Sequence, residues 1–404
     1  MRFKITCLFI YIAILLVLSS CENDDMDSNF DKIILSNQDK VLVGAANNFG
    51  FDLLKLSQAN KSDENIIISP LEIASNLNLL LNGSSGSTYE IINSYINPSN
   101  LLLDEINNSY RRILESIENL SDEKLIMVNG FWFRDLIGVK SHFENISDYF
   151  YKTTVDSIDF SNSEDYNRIG EWISSNSENQ LTFTNRDFSE QTQSFLINGF
   201  ACNLNFKYSF KEKTTEAFRI NDSDSINIPV LKVVGDFKTY KHDYFTLVEI
   251  PYSNSSFSLI MLLPNEDASL NSILPLINSS IWDYWISYLK KIEIELTVPE
   301  LNLSESIDMA KYLVNSPFDF LITDTYDFTG ITNNENFRID NLFSQSNFKI
   351  QDKNLSFTKS NEFWAPKSTQ SFQFQINKPF LFAIKENSSN LVLSVGIIKK
   401  PINN

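Results

Sequence analysis

The N-terminal third of the chain combines a helical repeat of apolar residues with a short apolar strand. Apolar residues recur every three or four positions over 39–60, which predicts an amphipathic helix. Ile66–Ile68 predicts a short strand. Ser69 and Pro70 then predict the start of a second helix, because serine caps helices and proline lacks an N–H that the first helical position leaves unpaired anyway. Asn82 and a glycine end that helix.

Strand patterns dominate the rest of the chain, with a few helices between them. A helix is predicted around 143–151. Strands are predicted at 127–133, 246–252, 257–264, 292–299, 372–374, 379–384 and 391–396. Strands and helices do not alternate regularly, so the pattern predicts a mixed α/β fold with largely antiparallel sheets.

Composition indicates one large domain that does not bind nucleic acid. The chain has 404 residues, 43% of them hydrophobic and 32 of them Phe, which is enough for a sizeable core. No Pro/Gly/Ser-rich linker follows residue 40 and no repeat is present, so we predict a single domain over 38–404. The net charge of −18, without clustered Lys and Arg, argues against nucleic acid.

The N-terminus resembles a bacterial export signal. Arg2 and Lys4 precede an apolar run over 7–18, and 18–21 fits the lipobox that ends in a lipidated cysteine, Cys21. The alternative, a membrane-spanning helix, requires a longer run. We therefore predict a signal peptide at 1–20 and an acidic tether at 21–37.

The residues after Cys21 and the cysteine count refine this interpretation. The acidic cluster resembles the signal that sends lipoproteins of some Gram-negative bacteria to the outer face of the outer membrane, so the lipid is the only predicted membrane contact. The mature chain keeps Cys21 and Cys202, and with the first one acylated no intramolecular disulfide is available.

Catalytic and cofactor sites are not predicted. His142 and His242 have no spacing typical of a metal site or a nucleophile–base pair, and Cys202 lies in an apolar strand pattern typical of a core residue. The glycine-rich stretch 83–86 lacks the lysine of a phosphate-binding loop. We therefore predict neither an enzyme nor a bound cofactor or metal.

Several motifs together resemble the serpin family, over about 38–401. They are the opening unit 65–88, the strand–helix–strand–helix series over 127–176, the strands at 246–252 and 257–264, the turn Asp327-Phe328-Thr329-Gly330-Ile331, and the C-terminal hairpin with its final proline, 377–401. The resemblance implies the serpin fold, with three largely antiparallel β-sheets, about nine helices and an exposed reactive-centre loop. It implies strands at 155–162, 196–200 and 346–351 and a helix at 169–176. It also implies a monomer that inhibits proteases.

The resemblance places the functional segment between the strand at 346–351 and Pro379. The segment 352–356 replaces the family hinge, and the reactive-centre loop spans about 355–371. The scissile bond is expected among Lys367, Ser368 and Thr369: a trypsin-like enzyme would select Lys367, whereas the residue count favours a bond after Ser368 or Thr369. The implied partner is a serine or cysteine protease, trapped when the cut loop inserts into the central sheet.

The hinge departs from the inhibitory pattern. Leu355 replaces the usual glycine and Phe357 a small residue, which argues for slow insertion and leaves a non-inhibitory surface binding protein as the alternative. Side chains alternate across a strand, and one alternate set of the hinge is small and polar, namely Ser356, Thr358 and Ser360. Insertion remains feasible if that set faces inward, although Glu362 would then be buried.

A hydrogen-bonded gate that lets the central sheet open is the other site implied by the resemblance. It maps onto Ser69, Glu72, Asn198 and Gln345. Ser69 and Asn198 match the family residues, Gln345 replaces a histidine, and Glu72 replaces a small hydroxyl with a potential buried charge. Ser69 has the alternative role of a helix cap.

Overall fold

The structure, a computed structural model, describes residues 32–60, 63–121, 124–183, 188–189, 191–309, 319, 326–351 and 372–402, without the side chains of 163 and 166. The predicted signal peptide and most of the predicted tether lie outside these residues.

The chain from Lys32 onward forms one compact unit. The α-helices in the described part are α1 (Asn37–Asn60), α2 (Pro70–Gly83), α3 (Gly86–Ile96), α4 (Leu103–Ser121), α5 (Ser141–Tyr151), α6 (Ser163–Asn176), α7 (Leu270–Ile273) and α8 (Ser279–Ser287).

Fourteen strands are described, and a 3₁₀ turn at Leu274–Leu276 follows α7. The strands are β1 (Ile66–Ile68), β2 (Leu125–Arg134), β3 (Thr153–Ile158), β4 (Ser194–Cys202), β5 (Glu212–Arg219), β6 (Ser225–Lys241), β7 (Phe245–Pro251), β8 (Phe257–Pro264), β9 (Lys290–Pro299), β10 (Leu301–Asp308), β11 (Asn341–Ile350), β12 (Phe372–Gln375), β13 (Phe380–Glu386) and β14 (Val392–Ile398).

These strands form two sheets. The first has the order β10-β11-β4-β2-β3, and the second has the order β1-β14-β13-β8-β7-β6-β9-β12, with β5 paired to β6. The second sheet is continuous because the long strand β6 has three partners. Its residues 225–232 pair with β5, 230–239 pair with β9, and 238–241 pair with β7. Pairing is antiparallel except for β2–β3, β4–β11 and β9–β12. The predicted mixed α/β class is confirmed. The described strands form two sheets instead of the three that the resemblance implies, because β6 joins two of them, and eight α-helices are described instead of about nine.

Both faces of the five-stranded sheet are covered, which buries β4 at every position. Alternate residues of a strand point to opposite faces. Leu196 and Phe200 therefore enter the large core shared with the nine-stranded sheet, whereas Phe195 and Ile197 enter a smaller cluster beneath α6. A strand buried on both sides lacks the apolar–polar alternation of a half-exposed strand.

The predicted elements are present, with shifted boundaries. The first helix begins at Asn37, ahead of the predicted start at 39. The largest shifts are at two starts: α6 begins at Ser163 instead of 169, and β11 begins at Asn341 instead of 346. Polar residues such as Ser344 and Gln345 are buried in this strand, so hydrophobicity alone does not reveal its first half.

The close approach of β1 to β14 yields a stability prediction. A Cβ at Gly396 would lie 2.3 Å from the carbonyl oxygen of Ile66 and 2.6 Å from the Phe382 ring. We therefore expect Gly396→Ala to lower the free energy of unfolding by about 2 kcal/mol, measured by urea unfolding. Gly170→Ala in α6 is the control, since its Cβ meets no atom within 4 Å and alanine favours a helix by about 1 kcal/mol. Equal stability of the Gly396→Ala variant and the wild type would contradict the packing.

Candidate functional site beneath the central sheet

Strands β4 and β11 are parallel neighbours, whereas each pairs antiparallel with its other neighbour. Their register runs from Asn341 opposite Phe195 to Asn347 opposite Ala201. Among the described strands, none stands between them. β11 continues to Ile350, where its partner is β10. We call this parallel boundary between β4 and β11 the seam.

Three polar side chains lie in a row under the seam. Asn129 of β2, Asn198 of β4 and Ser344 of β11 are register partners on adjacent strands, so their side chains share one face. All three are buried. The Asn129 Oδ1, both polar atoms of the Asn198 amide and the Ser344 Oγ have no hydrogen-bond partner within the described ranges. Each such atom costs about 1–3 kcal/mol, so this polar row weakens the closed sheet.

Glu72 lies in the first turn of α2, which packs against β2 and β4. Its side chain is completely buried, and neither carboxylate oxygen has a hydrogen bond of normal geometry to another described residue. Burial raises the pKa of Glu72 to about 8, and the nearby Asn129 side chain opposes this shift only in part. The side chain is therefore predominantly protonated at neutral pH.

Ser69 stands at the N-cap of α2 but does not cap it. Its Oγ donates a hydrogen bond of 2.7 Å to the carbonyl oxygen of Leu393 in β14, and its side chain makes no capping bond. The predicted capping role is therefore wrong. A buried hydroxyl needs a partner, and the bond that it finds joins the start of α2 to the nine-stranded sheet.

Gln345 does not join the other predicted gate residues. Its register partner in β4 is Gly199, one position beyond Asn198, so its side chain points to the opposite face of the sheet. There it donates to the carbonyl oxygen of Thr182. Ser344 occupies the position across the seam from Asn198, and the structure thus groups Glu72 and Asn198 with Asn129 and Ser344.

The segment that follows α6, residues 177–183, covers the outer face of the seam. The Asn347 amide donates to the Gln180 carbonyl oxygen at 2.9 Å, and the Lys349 Nζ donates to the Gln180 Oε1 at 2.6 Å. Leu181 packs on β4, because a Cβ at Gly199 would lie 2.5 Å from its Cδ1. Separation of β4 from β11 with a new strand between them must therefore displace this segment.

The remaining predicted site residues lie outside the described residues. These are the reactive-bond candidates Lys367, Ser368 and Thr369, the hinge residues Leu355, Ser356, Phe357, Thr358 and Ser360, and the lipidation site Cys21. The structure describes both flanks of the loop. β11 precedes it, and β12 follows it in the other sheet as a parallel neighbour of β9. The Phe372 ring at the start of β12 receives the Lys241 Nζ at 3.6 Å.

The two histidines and Cys202 lie apart from the seam's polar row. His142 is exposed on α5, and the His242 ring stacks on Phe245 at 4.7 Å. Cys202 is buried at the end of β4 and forms no disulfide with another described residue. No group of three or more His, Cys, Asp or Glu side chains in the described part of the chain is arranged to hold a metal ion. The helices described are all too short or too polar to cross a membrane.

A surface cavity of about 550 Å³ lies between α1, α8 and the turn that joins β13 to β14. Lys32, Ile33 and Val43 line one side, and Asp283 and Ser388 line the other. Partial burial raises the pKa of Asp283. The volume is within the range of small-molecule sites, although the lining is more polar than is usual for them.

The chain is similar to known proteins in both sequence and fold. It is 22% identical to neuroserpin from Gallus gallus over 367 residues, which cover 85% of this chain and 88% of the relative. Native protease nexin-1 with heparin has a similar fold, with a TM-score of 0.82 at 19% identity, over 90% of this chain and all of the other. Human thyroxine-binding globulin gives a TM-score of 0.81 at 19% identity, over 90% of this chain and 99% of the other.

The family comparison covers nearly all of the described structure. The family model described as "Serpin (serine protease inhibitor)" matches residues 44–401, from α1 to the last proline. This range includes the seam, the polar row and the segment between β11 and β12. The chain therefore belongs to the serpin family.

Proposed function

We propose that the protein inhibits a serine or cysteine protease by insertion of its own cleaved loop into the seam. The parallel pairing of β4 with β11 carries this proposal. A strand that turns back after β11 runs antiparallel to β11, and therefore also to β4. Between them it would form two antiparallel ladders in place of one parallel ladder, and antiparallel pairs are slightly more stable per residue. The closed sheet thus leaves room for a more stable arrangement.

Cleavage is required because both ends of the segment 352–371 are fixed. β11 lies in the five-stranded sheet and β12 is paired with β9 in the other one. An intact segment can enter the seam only by pulling β12 away from β9. A cut after Lys367, Ser368 or Thr369 frees the part attached to β11, which then carries an acylated protease with it.

The small set of the hinge suits the inner face of the seam. Ser356, Thr358 and Ser360 would enter on the same face as the polar row but nearer the end of β11, where the Ser346 Oγ also has no partner among the described residues. Hydroxyl groups both donate and accept hydrogen bonds. Insertion would therefore satisfy buried atoms that the closed sheet leaves unpaired, in addition to forming new ladder bonds.

We further propose that the mature protein is a monomer anchored to the outer membrane, facing the cell exterior. The lipobox at 18–21 and the acidic residues after Cys21 support this location. The tether 21–37 would separate the compact unit from the lipid. In this position the inhibitor would meet extracellular proteases rather than cytosolic ones.

A second function is favoured by the cavity beside α1. Human thyroxine-binding globulin, which has a similar fold, binds thyroxine in its crystal structure. The cavity of about 550 Å³ has a suitable size for a small molecule. A binding protein of this kind would not need an insertable loop, and the bulky hinge residues Leu355 and Phe357 agree with it.

Trapping of a protease separates the two functions. The chain is incubated with trypsin-like, elastase-like and papain-like proteases, and the mixtures are analysed by SDS electrophoresis and mass spectrometry. We expect a complex that resists SDS with at least one enzyme, and a released C-terminal peptide whose mass identifies the cut bond. A protease blocked at its nucleophile is the control and should form no complex. Cleavage of the loop without any complex would contradict inhibition.

A charge at an inward hinge position should convert the inhibitor into a substrate. In Thr358→Arg, insertion must bury an unpaired guanidinium, which costs about 3 kcal/mol and slows insertion by about 100-fold. We expect the protease to cut this variant and escape, with loss of the complex on SDS gels. Lys359→Arg is the matched control, because its side chain would face solvent. Unchanged trapping by Thr358→Arg would show that this set does not face inward.

Replacement of the acylated cysteine tests the anchor. We expect Cys21→Ala to abolish incorporation of labelled palmitate in the native host and to release the protein from the membrane fraction, because a single residue carries the lipid. Cys202→Ala should remain lipidated. Labelling that persists in Cys21→Ala would exclude this anchor.

A further inference from the structure

Glu72 differs from the other buried glutamates of the described structure. Burial alone would raise the pKa of Glu249, but Lys385 at 3.3 Å and Lys238 at 3.5 Å outweigh burial and hold it below its usual value. Glu386 is equally buried, and its carboxylate accepts bonds from the backbone and side chains of the adjacent turn. Glu72 has no cation beside it among these residues, and only the Asn129 side chain favours its charged form.

Among the described residues, the elements packed against α2 offer it no compensating cation. α1 carries Lys40, which is exposed, and Lys55, which is paired with Asp52 at 3.0 Å. Its buried Asp39 is paired with Arg112 at 2.6 Å, and α3 carries neither Lys nor Arg. α4 and α5 contribute Tyr110 and Tyr151, whose pKa values burial raises, so both stay neutral. Tyr151 bonds to Asn107 at 2.6 Å, near the far end of α2.

The strands beneath α2 provide no cation either. β2 carries Arg134, which points to the opposite face and donates to the Thr192 carbonyl oxygen at 2.9 Å. β4 carries Cys202, which is hydrogen-bonded to Tyr252. The residues of β14 are apolar, apart from Ser394 and a glycine. A proton is therefore the charge that neutralises Glu72 within the described structure.

The proton also completes a chain of contacts across the seam. A protonated carboxyl group can donate to the unpartnered Oδ1 of Asn129, whereas a carboxylate can only accept from the Asn129 amide, which offsets burial only in part. Asn129 is the register partner of Asn198, and Asn198 is the register partner of Ser344 on the other side of the seam. Ionised Glu72 would instead require water, which reaches this position when β4 and β11 separate.

We propose that Glu72 is a proton-controlled latch of the seam. The protonated side chain holds the polar row closed, and loss of the proton favours separation of β4 from β11. The consequence for inhibition rests on the proposed function: a looser seam should accept the cleaved loop faster, and it should also lower the stability of the uncleaved protein.

The sign and the pH range follow from linkage. Burial raises the pKa of Glu72 from 4.5 to about 8, so the closed state retains the proton at pH values where the open or unfolded state has lost it. The stabilisation is complete below the ordinary pKa, decreases as the pH rises towards 8, and is constant above it. Within this range the ratio of open to closed protein rises by at most about tenfold per pH unit.

Thermal unfolding of the uncleaved protein tests the latch without any protease. Tm is measured from about pH 5.5 to pH 9 for the wild type and Glu72→Gln at one scan rate. We expect the variant's advantage in Tm to grow by about 4 °C up to pH 8 and then to remain constant. Glu266→Gln is the matched control, because bonds to Lys378 and Arg219 lower the pKa of this exposed carboxylate below the range tested. Parallel Tm curves for the wild type and Glu72→Gln would overturn the proposal.

Hydrogen exchange locates the effect. At pH 8, we expect the amides of 197–201 and 343–347 to exchange faster in the wild type than in Glu72→Gln, with no such difference at pH 5.5. Equal exchange at pH 8 would overturn the latch. If Glu72→Gln fails to fold, Glu72→Ser replaces it with the same expected results. Failure of these tests leaves the trapping experiment unaffected, and loss of trapping leaves the Tm comparison valid, so the two proposals fail separately.

Discussion

The parallel pairing of β4 with β11 is the constraint on which the rest of the structure depends. Each of these strands has an antiparallel neighbour on its other side. A strand that returns from β11 can therefore pair antiparallel with both β4 and β11 at their shared boundary. The segment that could supply this strand follows β11 directly and ends in a different sheet. Topology therefore links cleavage of one segment to rearrangement of the central sheet.

The side chains around the seam indicate how the closed sheet is held in place. On the outer face, Asn347 and Lys349 bond to Gln180, and Leu181 packs on β4, so removal of the cover must break apolar contacts as well as hydrogen bonds. On the inner face, Asn198 has no partner in the described structure and Glu72 is a buried acid. A core optimised only for stability would not contain such groups. Their free-energy cost is compatible with a closed sheet that is less stable than the sheet with an inserted strand.

The sequence predicted the class of fold and most elements, because apolar periodicity and turn residues determine them locally. It failed where long-range contacts decide. The Ser69 hydroxyl stands at a capping position, but it donates its hydrogen bond to a carbonyl oxygen of β14, more than 300 residues away. Gln345 was expected beside Asn198, but the pairing of β11 with β4 places it opposite Gly199, on the other face of the sheet. Ser344 is the residue opposite Asn198. Asn129 carried no local signal, since its role depends on strand pairing.

Thermal unfolding before and after a single cut within 367–370 tests the central claim most directly. Insertion adds a strand to the central sheet and satisfies buried polar atoms. The cleaved wild-type protein should therefore unfold at a much higher temperature than the intact wild-type protein at the same pH. An unchanged or lower unfolding temperature after complete cleavage would show that the seam does not accept the loop and would contradict the account.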